Sequence, residues 1–536
     1  MRQIAVFVSL FLLLASSTML HATPSIQIVT DEAEYQSGDT IEVSLGAANE
    51  GDPIDVDVYV ALIFPNGAMW TWAEEAWHDG LVPYLAGIPL PTPFEFPITP
   101  LFYFGVPAGV EGYFQFAAAM TAPGTLDFTC DPSFAPFSIS EGTVPAVDLY
   151  VDPVDGNDIN DGSESRPFRT ITYALQIASE ETERVRINLA AGTYSLSTNG
   201  ETFPLVMISN MEIVGPATGY RDPQAVLDAE GGYRLIDCRD IVDAAVQNVM
   251  ITGAVGSRIR GKNCGAGISI ASSVMSIAGC ALHGLEAYHG SAMVIEDGSQ
   301  VSISNSAFSG NSARYSGTVD IYGSSVEISS TVFDDNLTTG EGGGLHLNNS
   351  DVVVSDSSFA GNTAQDGGGA VFFTDGMLSD PDNLPTLTID STDFTDNSSS
   401  EGGAIFTVSV TSPSEGELTV SLSDSSFSGN TATENGGAIA AENALVSVNG
   451  GTFTDNSAGG SGGAVIQIGN LEVEFESDYF DVAFEGNTAG GNGGAIANEG
   501  IPLNLWYDTW WSNVADGSGG AVANENAPAQ IEGATF

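Results

Sequence analysis

Residues 420–465 read VSLSDSSFSGNTATENGGAIAAENALVSVNGGTFTDNSAGGSGGAV, and the stretch contains the same phrase twice. Phe427 is followed three residues later by Asn430 and then by Gly-Gly-Ala ending at Ala438; Phe453, Asn456 and Ala464 repeat this 26 residues on. Working outward, Phe308, Phe333, Phe359, Phe394 and Phe484 each precede an asparagine by three: Asn311, Asn336, Asn362, Asn397 and Asn487. Trp510 with Asn513 extends the series. Val or Leu stands seven residues before six of these phenylalanines, with Val, Ile or Leu at five before, as in Val446 and Val448. Gly-Gly-Ala or a near variant follows each of the later aromatics after ten to twelve residues.

One arrangement accounts for all of these spacings. Short strands in coils of about 26 residues stack in parallel at about 4.8 Å per coil, so that equivalent residues lie above one another. The aliphatic and phenylalanine columns face inward. The asparagine column forms a ladder at one corner, and the glycines supply the positive φ a tight corner needs. The fold expected is all-β: a right-handed parallel β-helix with three strands per coil.

Upstream, the chain divides by texture. Residues 1–22 carry Arg2, an apolar run and small residues near Ala22, the pattern of a secretory signal peptide. Residues 23–143 alternate in stretches such as 40–45 and 55–64 and break at Pro65-Asn66-Gly67, which reads as an immunoglobulin-like β-sandwich. Trp70 and Trp72 share a strand face there, and burial in the sandwich core is favoured over a sugar-stacking role. Residues 148–184 pair an Asp/Asn-rich turn with helical spacing at Ile171, Ala174, Leu175 and Ile177, a helix placed to cap an open stack of strands. Residues 185–300 are early coils with weaker motifs, and 301–536 are the repeat coils. The repeat breaks off in phase at Phe536, which reads as a truncated C-terminus.

Charge narrows the partners. Without its signal the chain has 11 basic and 69 acidic residues, a net of 11 − 69 = −58, and no Lys or Arg follows Arg314. Nucleic acid and anionic membrane surfaces, whose contacts run on Lys and Arg, are poor partners for such a charge, and no nucleic-acid partner is expected. No later run is apolar and long enough for a transmembrane helix. Calcium at Asp155, Asp158 and Asp161 is weighed against an Asx-rich turn, since the spacing departs from the alternation of a calcium loop. No other cofactor is implied. Four cysteines allow three complete pairings; Cys238 and Cys264, 26 apart, are the pair expected in adjacent coils.

The recurring FxxN and GGA[ILV] phrases resemble the polymorphic outer membrane proteins of Chlamydia, over roughly residues 301–536. The stretch from the Asp/Asn-rich turn through ArgProPheArgThrIle to AlaAlaGlyThrTyr resembles the opening segment of secreted β-helix proteins of uncharacterised function. The first resemblance implies a passenger exposed at the cell outer membrane or released outside the cell, acting in adhesion.

Catalytic constellations are sparse. Arg258, Arg260 and Lys262 alternate and form the one candidate basic patch, against the alternative of a solvated face. Asp334–Asp335 is the only Asp-Asp pair, and it occupies the variable places of an FxxN corner. His78, His283, His289 and His346 show no metal-ligand spacing. Extra length enters the repeat only after Gly-Gly-Ala, roughly at 373–386, 407–417 and 467–481. These excursions hold Asp375, Asp380, Asp382, Glu415, Glu417, Glu472, Glu474, Glu476, Asp478 and Asp481. A face that collects insertions is a candidate binding edge, set against neutral drift in tolerated loops. The expected function is binding of a glycan, a cell surface or a matrix component without catalysis. A polysaccharide-cleaving enzyme and a structural spacer are the alternatives.

Overall fold

The computed structural model describes residues 24–535 apart from 31–33, 37–39, 50, 65–68, 74–75, 80, 106–111, 127, 131, 141–146, 182, 217–222, 257–264, 377–383, 411–417 and 470–475. The expected signal peptide therefore lies outside the described residues. The chain forms two compact units, residues 1–144 and 145–536.

The first unit pairs two sheets. Ser25–Thr30, Thr40–Asn49 and Phe94–Gly105 form one, and a seven-stranded sheet around Ile54–Ile63 and Gly112–Thr121 forms the other. Ile41, Val43, Val56, Val60, Phe116 and Phe137 are buried between them. Trp72 is partly buried and packs on Phe102 at 4.7 Å, whereas Trp70 is 44% exposed, so neither tryptophan is fully buried in the sandwich core.

The second unit is a parallel β-helix. A first strip of 14 parallel strands runs from Val147–Val151 to Ala529–Glu532, and two strips of 12 accompany it. The second strip carries the phenylalanines and the third follows Gly-Gly-Ala. Between second and third, from Glu286–His289 onward, short strands form a nine-stranded corner strip, so the later coils have four strands rather than three. Among the described residues one helix, α1 (Ile171–Ala178), seals the first coil with Ile171, Ala174, Leu175 and Ala178. Its N-terminus is held by the buried Glu201 carboxylate, which accepts from the backbone N–H groups of Ile171 at 2.6 Å and Thr172 at 3.0 Å.

Stacking puts like on like. Phe308 through Phe484 and Trp510 lie ring over ring at 4.4–5.0 Å, and the phenylalanines are essentially inaccessible. Each asparagine of the ladder gives its side-chain N–H to the oxygen of the next asparagine at 2.9–3.0 Å, from Asn311 to Asn513. From Asn336 onward each also bonds the carbonyl of the aromatic one coil earlier. Buried amides are thereby fully used.

The residue before each ladder asparagine has positive φ and reads Gly310, Asp335, Gly361, Asp396, Gly429, Asp455, Gly486 and Ser512. The alternation has a steric cause. A Cβ on Gly361, Gly429 or Gly486 would stand 2.6, 2.4 or 2.3 Å from the carboxylate oxygen of the aspartate one coil earlier. Asp335 is thus a corner residue. Its neighbour Asp334, on the adjoining strand, has its pKa raised by burial and then by the Asp335 charge.

Candidate functional site

The polar groups that stand apart from these columns gather on the outward face where the corner strip meets the third strip. In the strand Val319–Tyr322, Val319 and Ile321 enter the core, so Asp320 and Tyr322 point out. Asp320 is nonetheless fully buried, because neighbouring coils close over it. It stacks between Val294 and His346 in the parallel register.

A chain of hydrogen bonds centres on this carboxylate. His346 Nδ1 donates to Asp320 Oδ1 at 2.8 Å, and Ser316 Oγ donates to Asp320 Oδ2 at 2.5 Å. His289 Nδ1 lies 2.7 Å from Ser316 Oγ. His346 Nε2 is 3.7 Å from Glu341 Oε2, and its ring stacks on Phe372 at 5.1 Å. Burial alone would lower the His346 pKa, but Asp320 and then Glu341 outweigh it and hold the imidazole at about 9. His346 is therefore an imidazolium between two carboxylates. His289 behaves oppositely: burial outweighs the Asp320 charge and lowers its pKa, leaving it neutral at pH 7.

An exposed aromatic corner adjoins this chain. Tyr315 is 43% exposed and stacks with Tyr288 at 5.9 Å. The Arg314 guanidinium lies 5.5 Å from the Tyr288 ring centroid and 5.4 Å from that of Tyr315. His289 approaches Tyr315 from its own side chain, centroid to centroid, at 5.4 Å. Arg314 makes no ion pair among the described residues.

The residues expected from sequence fall elsewhere. Arg258, Arg260, Lys262 and Cys264 lie outside the described residues. Cys238 registers with Ile270 in the next coil, not with residue 264, because that coil is longer than 26 residues. Cys238 is a free buried thiol, which corrects the expected pairing with Cys264. Cys280 is free too, its thiol pushed up to about 12 by burial.

Asp380, Asp382, Glu415, Glu417, Glu472 and Glu474 also lie outside the described residues. Asp375 is fully buried, accepting from Ser409 Oγ at 2.6 Å and Val410 N–H at 2.8 Å, so it braces the next coil and is closed to a ligand. Glu476 and Asp478 both accept from Asn504. Asp478 sits on the strand Ser477–Phe480, and Asp481 at the positive-φ corner after it, beyond the excursion. Asp158 caps the approach to α1 by accepting from Arg169 N–H, Thr170 N–H and Thr170 Oγ1. Asp161 closes an Asx turn on Ser163, and Asp155 is exposed. Among the described residues no three His, Cys, Asp or Glu side chains converge to hold a metal ion.

Asp320, Ser316, Arg314 and the tyrosines were not marked as a site by sequence. The available signal was the coil offset: His346 follows Asp320 by 26 residues, so the two had to stack.

Two family models match parts of the second unit, and they meet at residue 356. Residues 154–356, which include the whole cluster, match a family described as a protein of unknown function, DUF1565. Residues 356–374, 391–408, 424–442 and 481–499 match the Chlamydia polymorphic membrane protein repeat. These four segments are similar to the polymorphic membrane protein repeat. In these repeats the matched segments run from the corner before each phenylalanine to the strand after Gly-Gly-Ala. No curated protein matches the chain in sequence.

Among solved structures, the native GH136 lacto-N-biosidase from Eubacterium ramulus shares 10% identity at TM-score 0.33, over 72% of this chain and 68% of its own. The CARDB domain of a Pyrococcus furiosus protein, solved with two metal ions, shares 14% identity at TM-score 0.16, over 23% of this chain and 95% of its own. Likenesses at these scores do not bear on function. No described helix is long and apolar enough to cross a membrane, which says nothing of strands.

Proposed function

We propose that this chain is a surface-displayed or secreted β-helix that binds a saccharide. The observation that carries the reading is the stacked pair of half-buried Tyr288 and exposed Tyr315, capped by Arg314. Tyrosine faces suit the apolar faces of sugar rings, and their few rotatable bonds keep the ordering cost low. Display at the outer membrane or cell surface is supported by the polymorphic membrane protein repeats. A stack of self-similar coils suits such display, since it holds a site rigidly. Adhesion to a glycan-coated cell or matrix follows from the same contact and needs no bond broken.

The test is a glycan-array measurement with the whole chain and with Tyr288→Ala/Tyr315→Ala. Saccharide binding that drops at least tenfold in the double variant, with an unchanged thermal midpoint, is the expected result. Binding indifferent to both tyrosines overturns the assignment.

A further inference from the structure

Arg314 is out of character with its surroundings. The chain carries 69 acidic residues and 12 basic ones, yet this guanidinium pairs with no carboxylate among the described residues and rests on two tyrosine rings. Arg166, Arg184, Arg186 and Arg234 take acidic partners within 3.3 Å, whereas Arg169, Arg239 and Arg314 take none among the described residues, and of these three Arg314 is the one set over aromatic rings. A cation stacked this way keeps its five N–H donors in a planar fork, the geometry that grips a carboxylate with two parallel bonds.

The buried chain beside it fixes a second group. Ser316 has one hydroxyl proton, and it is committed to Asp320. His289 Nδ1 must then be the donor to Ser316 Oγ, which leaves Nε2 of the neutral ring with its lone pair. No hydrogen bond occupies Nε2 among the described residues, and the ring is about a third exposed. The corner thus presents a bidentate donor and a neutral acceptor, both within 5.5 Å of the Tyr315 ring centroid.

We propose that this corner selects a saccharide bearing a carboxylate, with Arg314 pairing the acid group and His289 Nε2 accepting a hydroxyl of the same or the next sugar. The inference rests on the saccharide reading above and names its ligand class. Charge argues for a sparsely acidic chain over a densely sulfated one. One guanidinium with no carboxylate partner among the described residues, set over two tyrosines in a strongly negative protein, matches one carboxylate, whereas a polyanion would meet repulsion from the rest of the surface. Asp320 and His346 act as positioning residues: they touch no ligand and set which nitrogen of His289 carries the proton.

The experiment titrates the full chain with a panel of uronate- and sialate-bearing oligosaccharides, the same compounds with the carboxyl reduced to the alcohol, and heparin. The acid forms should bind at least tenfold more tightly than their reduced counterparts. Arg314→Gln should erase that difference, and Arg314→Lys should restore only part of it. His289→Phe should weaken acid and reduced forms alike, since it removes the hydroxyl acceptor and keeps the ring. Equal binding of acid and reduced forms overturns the carboxylate assignment while leaving saccharide binding intact, and heparin binding more tightly than any uronate overturns it too. Failure of the whole panel to bind removes both readings.

Discussion

Asp508 offers one carboxylate oxygen to the backbone N–H of Val482 at 2.9 Å, and its other oxygen is buried with no partner among the described residues. In earlier coils this corner belongs to Ser306, Thr331, Ser357, Thr392 and Ser425. Each of those hydroxyls donates to a carbonyl two residues back at 2.7–2.8 Å. Most also accept a backbone N–H from the coil before. A carboxylate can accept but has no proton to donate, and burial raises Asp508 to about 7. Asp508→Ser should therefore stabilise the protein at pH 8 by about 1–3 kcal/mol, the cost of an unsatisfied buried group. At pH 5, where Asp508 is protonated, the gain should shrink. Calorimetry showing no gain at pH 8 would contradict this account of the corner.

The same logic gives the pH dependence its sign. Glu401 is raised to about 7 by burial, against a hydrogen bond from Asn435 and with help from Glu434 and Glu442. Asp508 is raised to about 7 and His346 to about 9. A group whose folded pKa lies above its unfolded value contributes stability below the unfolded pKa and loses it as pH rises through the folded one. The windows run upward from 4.5 for Glu401, from 3.8 for Asp508 and from 6.5 for His346. Thermal midpoints should thus fall steadily from about pH 5 to about pH 9, opposite to a protein held by ion-paired carboxylates. The trend should persist in about 0.5 M salt, which screens general surface repulsion but not buried groups. Glu401→Gln with Asp508→Asn should flatten the part below pH 7; a profile that still falls there would assign the effect to other groups.

The asparagine ladder predicts a graded cost. Asn430 donates to the Phe394 carbonyl and to Asn456 Oδ1, both at 2.9 Å, and accepts from the backbone and side chain of Asn397. Asn430→Ala strands several buried partners, so it should cost about 3 kcal/mol or more. Asn513 donates to the Phe484 carbonyl from a less buried position. Asn513→Ala should cost less than half as much. Equal losses in denaturant titrations would show that the ladder does not act through buried partners.

How much of this was legible in sequence follows from the geometry of stacking. Translation by one coil superposes each residue on its own kind, so Phe427 over Phe453 and Asn430 over Asn456 are visible as a spacing. The same translation misleads where a coil carries extra residues. Cys238 and residue 264 share the 26-residue offset, but the register runs from Cys238 to Ile270. The candidate site was hidden for a different reason. Ser316 reaches His289 across a register shift between Ala287 and His289, which makes that offset 27 rather than 26. Arg314 drew notice only as the last basic residue. Its isolation from the acidic residues appears only in three dimensions. The fourth strand per coil was also missed, since two-residue strands such as Thr363–Ala364 leave no alternation to count.

Excursions give the last test. Extra length enters between Val371–Thr374 and Thr386–Asp390, between Ile405–Val408 and Leu418–Ser423, and between Val465–Ile468 and Ser477–Phe480. In each case the chain leaves the third strip and rejoins the first, so all three excursions open at the same corner in different coils. The strands on either side keep their parallel register without a break, Val371 on Ile405 and Thr386 on Thr419. Coils of the basic length pass this corner directly, as between Ile439–Glu442 and Ala444–Asn449. Replacing residues 377–383, 411–417 and 470–475 by short Gly-Ser links should therefore leave the thermal midpoint within a few degrees, because loop length costs little closure entropy. Saccharide binding should also survive, since the tyrosine corner sits between the second and third strips, away from that edge. A trimmed protein that folds but no longer binds would move the ligand to the acidic edge between the third and first strips.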